Sequence, residues 1–376
     1  MKISNHIEYG LLGVSLVLLQ FAGYSVLTLP FLALMAVLMF CFKSLQTQVE
    51  ESAPFSLFLV TAFIVGLVHL IFRDTTAKSL MMWGQLYFLA IILACASNKQ
   101  KVITIIKYVI YAIFLADITS NILLAAGYSL PWTHFPPIRP GEILPRFPGV
   151  KSSSLFSGSI SFLALCCIIQ EPIKPKWLKF FIEFMMCINL LLAGSFRYYI
   201  ILAAVIGLYV LKLYRKPKLL ISFYICFIVF VVLFTYLTKD ISQSNMLRWK
   251  LWLHTIDHIS DSPIWGIGFY FQNLREHTIF TFHNLAVAGV TESTILLFAW
   301  CFGIPIMLIF LYALYKTLRQ FSNYSEYKLY LGLFLGLSLD LFWGGSLDNC
   351  MSLSIFLLCM YQINHDEKVQ HHHTNL

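Results

Sequence analysis

A helical protein lying almost wholly within a membrane is what this sequence predicts, and three observations carry the expectation. Hydrophobic residues make up 59% of the chain and charged residues 12%, against roughly 25% charged in soluble domains. Apolar runs near the roughly 20 residues needed to cross a hydrocarbon core recur from one end to the other. Lysines gather in alternate intervals between those runs, as they do on the cytoplasmic side of polytopic proteins. No interval is long enough for a separate soluble domain, so 1–376 reads as a single integral membrane domain.

In order, the expected spans fall near 8–24, 26–42, 55–72, 79–96, 102–126, 152–170, 178–194, 197–213, 219–237, 291–315, 327–343 and 347–363. That is an all-α architecture of about 12 transmembrane helices with both termini in the cytoplasm. The first two spans are nearly continuous and divide at Gly23 and Pro30 as a tight hairpin. The first lacks a small-residue cleavage site and runs into the second, so it reads as a retained span. The seventh and eighth almost touch across 194–197.

Orientation follows from the intervals 98–101, 171–179, 212–218 and 316–328, all rich in lysine. With these inside, sixteen basic and eight acidic residues fall on the cytoplasmic side, and ten of each fall outside. The whole net charge of +8 is therefore cytoplasmic. It is a topology signal and gives no case for nucleic acid. The kind of base also differs by side. Inside, only Arg215 and Arg319 are arginine; outside, Arg73, Arg139, Arg146, Arg197, Arg248 and Arg275 are. Lysine suffices as an anchor, whereas arginine offers a planar, permanently charged fork that matches phosphate oxygens. The outer face is equipped to bind an anion.

Two outer loops are long enough to build something. The first, 127–151, carries Pro131, Pro136, Pro137, Pro140, Pro145 and Pro148 beside Trp132, His134, Arg139 and Arg146. Such proline density excludes a long helix. The second, 238–290, places Leu247, Leu251, Trp252, Thr255 and Ile259 at helical spacing, with charges interspersed. That predicts an amphipathic helix lying on the membrane, stopped by Ser262-Pro263. A Gly266–Gly268 turn and an irregular stretch then lead to His283.

Each candidate residue has a plain reading beside the functional one. Arg197 follows Gly194-Ser195 at the start of a span; it is either a snorkelling interfacial arginine or the mark of a ligand path. Arg248 on a surface helix needs no special role by itself. His283, before Asn284, titrates in the right range to exchange a proton near neutrality. Glu292 either orients His283 or caps the next helix through Thr291 and the dipole. Asp117 and Asn121, one turn apart in the fifth span, are either functional or polar glue between helices; Asp340 and Asp348, flanking Trp343, read the same way. The nine cysteines lack metal-ligand spacing, and His371–His373 reads as a tail. With no Asp-x-Asp, P-loop or Gly-rich nucleotide fingerprint, neither a bound metal nor any other cofactor is expected.

The order of these features resembles the O-antigen polymerase/ligase superfamily of bacterial inner membranes. The matching elements are Arg146-x2-Gly149, the Gly-Ser-Phe-Arg197 junction and Arg248-x3-Trp252. Pro263-x-x-Gly-x-Gly268, His283-Asn284, Glu292 and Gly303 complete the series. The motif-bearing part is roughly 150–305. Two features depart from the family's pattern. The ligases' His-x-His-Asn run has Thr281 in its first position, and the polymerases' two Arg-x10-Gly loops are not reproduced.

The resemblance implies a GT-C-like fold and metal-independent, inverting glycosyl transfer at the periplasmic face of the inner membrane. The donor would be a glycan on undecaprenyl diphosphate. Arg197 and Arg248 would neutralise the departing diphosphate, and His283 would take the acceptor's proton. Arg139, Arg146, Arg275 and Glu292 would contact substrate. A polymerase would join one lipid-linked repeat unit to another, in the company of the lipid bilayer and a polysaccharide chain-length regulator. A ligase would instead pass the glycan to lipid A–core. The modest loop and missing histidine favour the polymerase. A lipid-linked oligosaccharide flippase is the alternative of another class, although transporters usually show repeat symmetry that this chain lacks.

Overall fold

The computed structural model describes residues 10, 13–14, 16–17, 53–72, 87–88, 90–91, 99–133, 146–151, 153–169, 171–268, 278–282, 285–288, 292–321 and 328–344. Expected spans 26–42 and 347–363 lie outside the described residues, as do most of 8–24 and 79–96. The described chain is mainly helical. Three of its helices contain segments long and apolar enough to cross a membrane: Phe55–Phe72, Lys101–Ala125 and Pro217–Thr238. Shorter apolar helices occupy Ser154–Ile168, Phe196–Val210 and Gly332–Trp343. The chain divides into two compact units. One comprises Met1–Thr28, Asn98–Lys212 and Ser325–Gly336; the other comprises Leu29–Ser97, Leu213–Tyr324 and Leu337–Leu376.

The first unit is built around a helix that its neighbours cover on every side. Helices α2 (Lys99–Ala125), α3 (Ser154–Ile168), α4 (Lys176–Ala193) and α5 (Phe196–Val210) follow α1 (Ala53–Phe72), which belongs to the second unit. α3 is buried continuously from Phe156 to Ile168. Its first turns carry Ser154, Ser157, Gly158, Ser159 and Ser161, small residues that let neighbouring backbones approach closely. Ser153 caps it by accepting a hydrogen bond from the Phe156 amide. At the other end Lys179 Nζ donates to the carbonyls of Ile169 (2.7 Å) and Glu171 (3.1 Å). A lysine there closes the helix terminus and opposes its dipole.

In the second unit the helices are α1 (Ala53–Phe72), α6 (Pro217–Thr238), α7 (Gln243–Asp261), α8 (Thr294–Phe302) and α9 (Ile304–Phe321), with the end of α10 (Lys328–Trp343). α6 is apolar all round. It buries Leu220, Tyr224, Phe227 and Val231 on one face and leaves Ile225, Val229, Val232 and Leu233 exposed. A helix with that pattern suits a lipid surround. Phe58, Phe298 and Phe310 form an aromatic core, with ring centroids 4.9–5.2 Å apart, in the range where aromatic pairs attract. Trp343 packs edge-on against Phe234, and the Tyr224 and Ser338 hydroxyls are hydrogen-bonded to each other.

Several expected elements return with small shifts in their ends. The amphipathic helix predicted over the start of the long loop is α7, capped by Ser242 and ended before Pro263. Two expectations are revised. The single span at 291–315 is two helices separated at Gly303, whose φ of +86° and ψ of 162° only glycine adopts without strain. A Cβ there would meet the carbonyl of Ile264. The stretch expected to be irregular before His283 contains an antiparallel ribbon, β1 (Thr278–Phe282) with β2 (Leu285–Ala288), in which Phe282 pairs with Leu285. Its β-branched and aromatic residues favour strands.

Candidate functional site

In the first unit the polar residues of α2, α3 and α4 close into one network. Asp117 accepts hydrogen bonds from Ser157 Oγ (2.5 Å), Asn189 Nδ2 (3.0 Å) and the Val150 amide (3.1 Å). Asn121 donates to Ser157 Oγ (2.9 Å) and Asn189 Oδ1 (2.8 Å), and its own Oδ1 receives the Gly149 amide (2.9 Å). Asn189 also reaches Ser161. Asp117, Asn121, Ser157 and Asn189 are each fully buried. Such a network is tolerable at depth because every partner is satisfied.

Its outward effect is to fasten the end of the Pro-rich loop. Two consecutive amides, Gly149 and Val150, are held by Asn121 and Asp117, and the Phe147 amide donates to the Leu192 carbonyl (2.9 Å). Gly149 has a φ of +66°, and a Cβ on it would run into the Asp117 carboxylate. That gives a physical reason for Arg146-x2-Gly149: the glycine lets the strap touch the carboxylate, and Arg146 stands at the strap's start. Arg146 is half-buried.

Arg197 belongs to the same unit. α4 ends at Gly194 in the left-handed conformation, and α5 starts after Ser195. Arg197 therefore lies in the first turn of α5, only 8% exposed, with its guanidinium 5.2 Å from the Tyr198 ring centroid. A helix N-terminus already carries partial positive charge. Guanidinium and backbone amides together favour an anion at that point.

The second unit holds Arg248. It sits on the buried face of α7 at 5% exposure, and its guanidinium is gripped on three sides. Nε donates to Glu292 Oε2 at 2.9 Å, and Nη2 reaches the same oxygen at 2.6 Å. Nη1 donates to Asn245 Oδ1 at 2.7 Å, and the Trp343 ring centroid lies 6.0 Å from Cζ. The expected pairing of Glu292 with His283 lies outside the described residues. Among the described residues the partner of Glu292 is Arg248, and the cap of α8 is Ser293, which accepts from the Leu296 amide.

The turn after α7 fastens this unit as the Pro-rich strap fastens the other. The Ile267 amide donates to the Trp300 carbonyl (3.0 Å), and the Ile304 amide to the Pro263 carbonyl (2.7 Å). Gly266 packs against the backbone of Cys301 and Gly303. His69 Nε2 meets the Trp265 carbonyl at 3.1 Å. On α7 itself, His258 stacks on Trp300 (5.5 Å, 7°) and pairs with Asp261, while His254 packs edge-on to His258. Partial burial, with His258 nearby, holds the His254 pKa below the ordinary histidine value, and Asp257 opposes the shift.

Of the residues singled out in the sequence, Arg146 and Arg197 fall in the first unit, and Arg248 and Glu292 in the second. His283, Arg139 and Arg275 lie outside the described residues. Sequence reasoning missed Asn189 and Ser157 as partners of Asp117, and Ser161 as a partner of Asn189, since nothing local links them. It also missed Asn245, although Asn245-x2-Arg248 places the two one helical turn apart. Among the described residues no cluster of His, Cys, Asp and Glu is arranged to hold a metal ion. Neither protein-family models nor curated proteins yield a match to this chain.

Proposed function

We propose that this chain is a surface-polysaccharide polymerase of bacterial inner membranes, joining repeat units carried on undecaprenyl diphosphate at the periplasmic face. One observation carries the reading furthest. Arg248 is an arginine at 5% exposure whose fork is already spent on an anion, the Glu292 carboxylate. Outward-facing arginines in the sequence and the resemblance of its motifs support it further. The proposed architecture is GT-C-like, with about 12 spans, its long periplasmic loop over 238–290 and both termini inside.

The chemistry follows from what the donor must lose. The bond from the sugar's anomeric carbon to the diphosphate breaks while an acceptor hydroxyl attacks from the opposite face, which inverts the anomeric centre. Negative charge grows on the departing diphosphate, so a fixed guanidinium stabilises the transition state more than the ground state. Arg248 is assigned that role. Arg197, in its own unit, is a second arginine assigned to phosphate. His283 is assigned the acceptor proton, because imidazole is the side chain whose unperturbed range suits a base near neutrality. The proton passes from hydroxyl to imidazole, and the diphosphate leaves with the bonding pair.

The test is the lipopolysaccharide pattern of a deletion strain complemented with His283→Ala. Expected is lipid A–core bearing a single repeat unit, without a ladder, and a fall in transfer of about 10²–10⁴-fold. Bare core with accumulated lipid-linked polymer would instead identify a ligase. A normal ladder would remove His283 from the mechanism.

A further inference from the structure

The Arg248–Glu292 pair is asymmetric. The Arg248 side chain is 6% exposed and that of Glu292 30%. Asn245 holds Nη1, and Trp343 lies against the guanidinium. Glu292 therefore occupies the more open side of the arginine. Its hydrogen bond from Nε and its ion-pair contact with Nη2 both end on one oxygen, Oε2, in place of the two-oxygen fork that makes arginine pairs with carboxylate or phosphate strongest. A buried guanidinium cannot stand without a counter-charge, yet this one holds its partner through a single atom.

We infer that Glu292 is an internal occupant of a diphosphate site: it neutralises Arg248 when no donor is bound and yields the guanidinium to the incoming phosphates. This rests on the reading of Arg248 as a phosphate-binding arginine. A diphosphate brings more charge than a carboxylate and can offer two oxygens to the fork, so it wins the exchange. Two anions at one guanidinium repel, and the partly exposed carboxylate is the one free to turn into water. Asn245 and Trp343 keep the arginine aimed during the swap. The exchange has two consequences. The empty protein is spared an uncompensated charge, and weak monoanions are rejected because they cannot displace the carboxylate. Binding is reduced by the fraction of protein in which the arginine is occupied internally.

The experiment uses the full chain in nanodiscs, with inorganic pyrophosphate and undecaprenyl diphosphate as separate probes. Glu292→Gln keeps the shape and an acceptor oxygen but removes the charge. It is expected to bind both probes about 10-fold more tightly than the unmodified chain. Arg248→Gln should bind both at least about 10-fold more weakly, since the charge-assisted bonds are gone. Unchanged or weaker binding by Glu292→Gln, with Arg248→Gln still weakened, overturns the internal occupant and leaves the role of Arg248 intact. Unchanged binding by Arg248→Gln removes the reading beneath it. A gain for pyrophosphate alone rejects the lipid-linked source. Glu292→Asp, charged but one methylene short, covers failure of the glutamine variant to fold. Tighter binding supports the exchange, and unchanged or weaker binding overturns it.

Discussion

Asp117 in the first unit and Arg248 in the second are both buried ionisable residues, and they are stabilised in opposite ways. Asp117 is enclosed by donors from three neighbouring segments: Ser157 on α3, Asn189 on α4 and the Val150 amide. None of those partners carries a charge, and both side-chain donors are themselves fully buried. Arg248 is balanced by a charge of opposite sign whose owner is partly open to the surroundings. The first arrangement cannot come apart without several polar groups losing partners together. The second comes apart when one partly exposed carboxylate turns away. Burial of a charge therefore says little about function until its counter-groups are counted. Enclosure by neutral donors makes a clamp, whereas a partly exposed counter-ion leaves room for the exchange proposed above.

That distinction fails first if Asp117 proves dispensable. Asp117→Leu strands the donors of Ser157, Asn189 and Val150, each costing about 1–3 kcal/mol when buried in a soluble protein, with smaller values typical within membranes. A loss of about 2–4 kcal/mol is expected in unfolding by graded denaturing detergent, with a marked fall in recovered protein. Stability within about 0.5 kcal/mol of the parent, the scatter of neutral surface changes, would mean the network is not a clamp.

A smaller effect is expected on removing Arg248. Arg248→Gln leaves Glu292 free to hydrate, so the same unfolding measurement should lose only about 1–2 kcal/mol, within the ordinary range for point substitutions. A larger loss than that of Asp117→Leu would reverse the comparison.

The smallest effect concerns His254, on the same helix as Arg248. Its folded pKa lies below the ordinary value through burial, so between the two pKa values the unfolded chain binds more protons. Its contribution to stability is complete above about pH 6.5, the unperturbed histidine value. It declines as pH falls from there through the folded pKa. Comparing unfolding midpoints at pH 7.5 and pH 5.5 should show a shallower acid loss in His254→Gln than in the parent. An identical slope would detach His254 from the packing of α7.

How much of this was legible in the sequence depends on the distance over which each signal acts. Helices such as α2, α3 and α7 follow from periodicity, capping serines and prolines, all of which are local. The ribbon was missed because Thr278 to Ala288 offers only two short apolar runs, which periodicity separates poorly from irregular chain. The helix break at Gly303 was missed for a different reason. Glycine within a long apolar run is ordinary, and what opens the helix is the approach of Pro263 and Ile264 from forty residues away. For the site, Arg197 was singled out by its place after Gly194-Ser195 at the start of a span, and Arg248 by the motif that follows it. Their surroundings were not legible, because the partners of Asp117 and Arg248 come from separate segments. The interval from Arg248 to Glu292 carries no pattern that would announce an ion pair.

A gap in a helix usually acts as a joint, and the one at Gly303 does not. The Pro263–Gly268 segment lies across it as a splint, holding Trp300 on one side and Ile304 on the other. Bending there would release both bonds, so the segment ties the end of α7 to α8 and α9. Arg248 rides on α7, and Glu292 stands immediately ahead of α8, each on a backbone that the splint keeps in register. The exchange proposed at that arginine would then call for a rotation of side chains, with no helix required to move.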